Sequence, residues 1–243
     1  MIDIDAVYGK TPTGGDFPLS DVLAGMKRFG ISASLTASLQ SAYFFSPESD
    51  SAHLAVCKEH PQLIPAASVN MLYGFRAEEE VRRLKRLGFR AARFHTDIRS
   101  FDPDIPLFRE FVLSAEKAHL PILISAPAAD VYRALLPLGN LTVPIILLDQ
   151  DPYDHYRILS TMEHRENFFL CIREFNGPAM IDYLASRVGA RRLLFGSGAP
   201  NYYIQPTINT ISCSRLSDRE KAMILGENAR RIFGIEEGET ECL

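Results

Sequence analysis

Apolar runs of strand length alternate along the chain with stretches whose apolar positions recur at helical spacing. Residues 2–7, 31–35, 63–69, 89–95, 120–125, 143–149, 168–173 and 192–197 predict strands. Between them, residues 20–29, 51–59, 77–87, 107–118, 129–138, 152–163, 179–188 and 217–233 predict helices. Eight strand–helix units of about 30 residues each are what an α/β fold of the (β/α)8 TIM barrel type requires. The strands are rich in Ile, Val, Leu and Phe with little strict alternation, as parallel strands covered by helices should be. A doubly wound open sheet is the rival architecture. No Gly-x-Gly-x-x-Gly follows the first strand, which weakens a dinucleotide version of it. With no long linker or internal repeat, residues 1–243 read as a single domain.

Local punctuation agrees with these elements. Ser217 and Glu220 have capping-box spacing, and Gly234 sits where that last helix should stop. Asp151 followed by Pro152 gives an N-cap and a first-turn proline. Gly30, Gly88 and Gly189 each separate a helix from the next strand.

Composition narrows the function classes. At 47% hydrophobic and 23% charged, the chain can bury one extensive core. A formal net charge of −4 argues against a nucleic-acid partner, since such a footprint is basic. Cys57, Cys171, Cys213 and Cys242 lack Cys-x-x-Cys spacing, so neither a zinc ribbon nor a disulfide framework is expected. Met1 leads directly into the first strand, and no apolar run reaches about 18 residues. A cytoplasmic setting without a membrane partner is the expectation.

Barrel enzymes place chemistry at the carboxyl ends of their strands. Those ends here carry Asp5, Arg93, His95, Ser125, Asp149 and Arg173. Arg93 and His95 are two apart and share a strand face, whereas Arg173 and Glu174 are adjacent and should point oppositely. Tyr43, Phe44 and Phe45 fall in a loop at 38–47, and Tyr202 and Tyr203 in a loop at 201–214. These aromatics suit either a ligand cap or a homo-oligomer contact. His53, His60, His119, His155 and His164 fall in or just after helices, mostly on the solvent side.

Several motifs carry a family resemblance. Residues 191–200 run through Phe195-Gly196-Ser197 into a turn with Pro200, and residues 88–95 approximate Gly-Phe-x-Gly-x-x-x-His. Residues 224–233 follow Ile-Leu-x-x-Asn-Ala-x-x-x-Phe. Together they resemble the amidohydrolase superfamily, in its branch of small hydrolases and decarboxylases. The family's first strand reads Ile-Asp-x-His-x-His; here Asp5 and Val7 hold the histidine positions. Ser125 and Asp149 stand where the fifth and sixth strands bring histidines, and Gly198 where the eighth brings an aspartate.

A catalytic zinc takes about three protein ligands. The resemblance, with these substitutions, therefore implies no tightly bound zinc and no cofactor beyond a divalent cation weakly held by Asp5 and Asp149. Two functions stay open. One is an amidohydrolase-like enzyme acting on a small carboxylate-bearing or cyclic molecule. In it His95, Asp5 or Asp149 moves protons, while Arg93, Arg173, Ser125, Tyr43 and Tyr202 hold the substrate. The other is a non-catalytic relative that binds a ligand or partner at the same mouth. Arg93 paired with Asp5 or Asp149 then fills the space of a metal, and His95 is hydrogen-bonded scaffolding.

Overall fold

The computed structural model describes residues 1–44, 47–71, 74–96 and 101–236. Phe45 lies outside them. The strands are β1 (Ile2–Lys10), β2 (Asp16–Phe17), β3 (Ala33–Ser38), β4 (Leu63–Val69), β5 (Ala91–Phe94), β6 (Ile122–Ile124), β7 (Ile145–Leu147), β8 (Phe168–Cys171) and β9 (Leu193–Leu194). All but β2 run parallel, in the order β1-β3-β4-β5-β6-β7-β8-β9.

The ring then closes. Ile4 N–H donates to the Phe195 carbonyl at 3.1 Å, Val7 N–H to Ala199 at 3.0 Å, and Gly198 N–H to Asp5 at 2.7 Å. Closure between the first strand and the segment after the last gives the TIM barrel and excludes the open doubly wound sheet.

Two apolar layers hold the ring. Outside it, Phe94 packs edge-on against Phe108 and Phe111 of the helix Pro106–Ala118, with ring centroids 5.2 and 5.0 Å apart. Inside it, residues such as Ile4, Leu35, Ile64, Leu123, Ile146 and Leu194 fill the lumen. Phe233 and Ile235, from the end of the chain's last helix, join that inner cluster.

A bulge in β1 prepares the opposite end. Asp3 pairs with Ser34 but Ala6 with Thr36, so β1 has one extra residue between them. Such an insertion reverses which face the following side chains occupy. Ile2 and Ile4 point into the lumen before it, and Asp5 and Val7 line the mouth after it.

Expected punctuation is present. Gly30 and Gly88 end their helices in the left-handed conformation, with φ of 66° and 91°. Ser217 and Glu220 form both bonds of a capping box. Cys57 and Cys171 are buried, and burial pushes the Cys57 thiol up to about 12.

Four features depart from the sequence reading. β1 continues to Lys10 and turns back through β2 as a hairpin over the mouth. The two aromatic loops contain helices, Leu39–Tyr43 and Ile204–Ser212. The final helix is interrupted by a π-type turn at Met223–Glu227, where the Ile224 carbonyl accepts from Phe195 N–H at 3.0 Å. His53 is buried: Nε2 donates to the Thr36 carbonyl at 2.9 Å, and Tyr8 O–H donates to Nδ1 at 2.9 Å. Burial lowers its pKa to about 4, which suits a neutral strut between β1, β3 and the helix Pro47–Glu59.

Candidate functional site

The strand ends converge on a cavity of about 460 Å³ at the carboxyl mouth. Seven of the eight residues singled out from the sequence line it: Asp5, Tyr43, Arg93, His95, Asp149, Arg173 and Tyr202. Ser125 stands behind the wall, its hydroxyl donating to Asp149 Oδ2 at 2.5 Å. The β2 hairpin adds Thr11 and Phe17, which sequence patterning did not single out.

An ion network organises one side. Arg93 Nη1 lies 2.7 Å from Asp5 Oδ1, and Arg173 Nε 3.2 Å from Asp5 Oδ2. Arg173 also pairs with Asp149 through Nη2 and, at 2.7 Å, with Glu174 through Nη1. Both arginines and Asp5 are buried. Burial alone lowers the Arg173 pKa, but the charges of Asp5 and Glu174 outweigh it and raise the value, so the guanidinium stays charged. Asp149 holds this position with φ of 51°, an unusual backbone state for a residue with a side chain.

The network is incomplete on both sides, since Asp5 Oδ2 is buried without a donor. Arg93 Nε, Arg173 Nε and Arg173 Nη1 are buried without a hydrogen-bond acceptor, although carboxylates stand close to Arg173. Distance supplies Coulomb attraction there, while misalignment withholds the hydrogen bond. Each such donor costs about 1–3 kcal/mol while unsatisfied.

Gly198 explains how Arg173 reaches its place. Its φ is 65°, and a Cβ there would fall 2.8 Å from Arg173 Cδ and 2.8 Å from Tyr202 Cδ2. The guanidinium carbon stacks 4.0 Å from the Tyr202 ring centroid. Absence of a side chain at 198 is thus filled by an arginine from the neighbouring strand end.

Opposite faces were expected for Arg173 and Glu174, yet both line the cavity. The reason is that β8 ends at Cys171, so the two-residue alternation no longer applies. Two residues after Arg93, His95 Nε2 lies 3.0 Å from Ser68 Oγ, a residue the sequence reading missed. Burial first, and then the Arg93 charge, hold His95 well below its ordinary pKa, so it is neutral at pH 7. Beneath the mouth, Asp3 accepts from Ser197 N at 2.8 Å, Ser197 Oγ at 2.5 Å and Asp5 N at 3.0 Å. Burial raises its pKa to about 6 despite those donors.

Comparison with known proteins places this geometry. The amidohydrolase family profile matches residues 16–235. No curated protein matches the sequence. Among solved structures, a 2,6-dihydroxybenzoate decarboxylase complexed with 2,6-dihydroxybenzoate is similar with a TM-score of 0.76 and 16% identity, covering 96% of this chain and 99% of that one. A Pseudomonas putida protein described as a 2-pyrone-4,6-dicarboxylic acid hydrolase has a TM-score of 0.73 and 17% identity, covering 97% of each chain. A dihydroxybenzoic acid decarboxylase from a Polaromonas species, with manganese and the inhibitor 2-nitroresorcinol bound, has a TM-score of 0.73 and 14% identity, covering 100% and 99%.

The manganese of the Polaromonas enzyme corrects the expectation of no cofactor: the neighbours of this fold point to a divalent metal. Among the described residues, the donors at the mouth do not offer a ready ligand set for one. Asp5 and Asp149 are already ion-paired to arginines, and Gly198 brings no donor side chain. Among the described residues, no group of three His, Cys, Asp or Glu is placed to hold a metal ion. Among the same residues, no helix is long and apolar enough to cross a membrane.

Proposed function

The chain belongs to the amidohydrolase family, and on that premise we propose that its mouth takes a small cyclic molecule bearing a carboxylate and acts on it. The observation that carries this reading is the pair of arginine side chains, Arg93 and Arg173, that line the cavity. A carboxylate accepts such donors with charge assistance, and planar guanidinium geometry favours it over a compact anion. Tyr43, Phe17 and Tyr202 line the same cavity and give a ring apolar surface to lie against. The ligands named for two neighbours, 2,6-dihydroxybenzoate and 2-nitroresorcinol, are rings of this size class. His95, neutral at pH 7, is the group available to accept a proton.

Charge sets a condition on the assay. The described lining has the carboxylates of Asp5, Asp149 and Glu174 against the guanidiniums of Arg93 and Arg173, a net negative balance. A ligand carboxylate meets that balance, so manganese is supplied in the test. Protein with manganese is incubated with 2,6-dihydroxybenzoate and related ring carboxylates, and ligand loss is followed by absorbance and mass. The reading expects consumption that Arg173→Met abolishes.

Binding without turnover is the second reading. It is favoured by the ion pairs on Asp5 and Asp149, which engage the acids otherwise free to move protons. Saturable binding with the ligand unchanged after long incubation selects it. A homo-oligomer through the exposed ring of Tyr203 is proposed only as a companion to either reading.

A further inference from the structure

His95 is held by a relay whose hydrogen count fixes its chemistry. Its Nε2 lies 3.0 Å from Ser68 Oγ. That hydroxyl also lies 3.0 Å from the Ser38 carbonyl oxygen, to which it donates. A hydroxyl has a single hydrogen. With that hydrogen on the Ser38 carbonyl, Oγ meets Nε2 only as an acceptor, and Nε2 must carry the ring proton. The reverse assignment leaves two oxygens 3.0 Å apart with no proton between them. Because the ring is neutral at pH 7, Nδ1 is bare. It has no hydrogen-bond partner among the described residues, in a side chain that lines the cavity.

We propose that Ser68 is a positioning residue that fixes His95 as the Nε2–H tautomer and leaves the Nδ1 lone pair as the acceptor available at the mouth. Three neighbouring strands supply one link each. Ser38 ends β3, Ser68 lies in β4, and His95 follows β5. The Ser38 end of the relay is itself held, since its hydroxyl caps the helix Leu39–Tyr43 by accepting from Ser41 N–H at 3.4 Å. The mouth then offers donors from Arg93 and, two residues on, an acceptor from His95. A ligand is sorted by whether it brings an O–H or N–H to that nitrogen. This consequence rests on the mouth being a ligand site; the tautomer does not.

Nitrogen NMR of protein labelled with ¹⁵N-histidine reads the tautomer directly, with His95→Gln identifying the His95 signals. At neutral pH the wild type is expected to show a protonated Nε2 and a bare Nδ1. Ser68→Ala should lose that single signature to a mixture of tautomers, and Ser68→Thr, which keeps a hydroxyl, should restore it. A proton on Nδ1 in the wild type overturns the proposal, as does an unchanged tautomer in Ser68→Ala. Adding 2,6-dihydroxybenzoate together with magnesium, a diamagnetic divalent ion in place of manganese, separates the two readings. A shifted Nδ1 signal supports both, whereas an unmoved Nδ1 in a ring of the expected tautomer upholds the relay and sinks the ligand reading alone.

Discussion

The two ends of the barrel are held by different physics. At the floor, Ile2, Ala229, Phe233 and Ile235 close the lumen with apolar contact. At the mouth, the same ring of strands finishes in Asp5, Arg93, Asp149 and Arg173, joined by ion pairs. Apolar contact tolerates many shapes of similar volume, whereas a buried ion network loses several kcal/mol when one member goes. The contrast separates ancestry from chemistry. The closing helix that carries the family motif packs at the floor, and the positions that differ from the family motif gather at the mouth.

The comparison breaks first at Asp5. Asp5→Ala leaves two buried guanidiniums without their shared carboxylate, a loss of about 3–5 kcal/mol. Chemical denaturation should show it, and ligand binding should fail as well. At the floor, Phe233→Ala removes a fully packed ring and costs about 3–5 kcal/mol through lost burial and cavity formation. Its ligand affinity, measured below the variant's melting temperature, should match wild type. A floor variant that alters affinity would end the separation of the two ends.

Asp3 lies between these regions and reports through pH. Burial raises its folded pKa from 3.8 to about 6, above the unfolded value. The contribution of that group to stability is therefore full below pH 3.8 and is lost as pH rises through about 6. Asp3→Asn does not titrate, so between those limits it should gain on wild type by up to about 3 kcal/mol. Melting curves of both proteins across that window check it; a constant difference means the carboxyl is not shifted. The smallest backbone effect belongs to Gly198→Ala, about 1–2 kcal/mol for the left-handed conformation itself. Its Cβ also presses on Arg173 and Tyr202, so affinity should fall more than that strain alone predicts.

Much of this was legible in the sequence for physical reasons. Strand and helix alternation follows from local periodicity, and Gly30, Gly88 and the Ser217–Glu220 box act within a few residues of themselves. Strand-end positions and the family motif were equally accessible, and Asp5, Arg93, His95, Asp149 and Arg173 do line one cavity. What escaped depends on partners distant in sequence. The π-type turn forms because Phe195 N–H claims the Ile224 carbonyl, and Ser68 matters only through Ser38 and His95 on flanking strands. The Arg173 side chain lying over Gly198 is of the same kind, since neither residue alone announces the other.

The central claim is that Arg93 and Arg173 form the anchor for a ring carboxylate. Isothermal titration of 2,6-dihydroxybenzoate, with manganese present, into wild type and Arg93→Gln tests it most directly. A single saturable site in the wild type, weakened at least about tenfold in the variant (about 1.4 kcal/mol), is the predicted result. Equal affinities, or no saturable binding to the wild type, would contradict it.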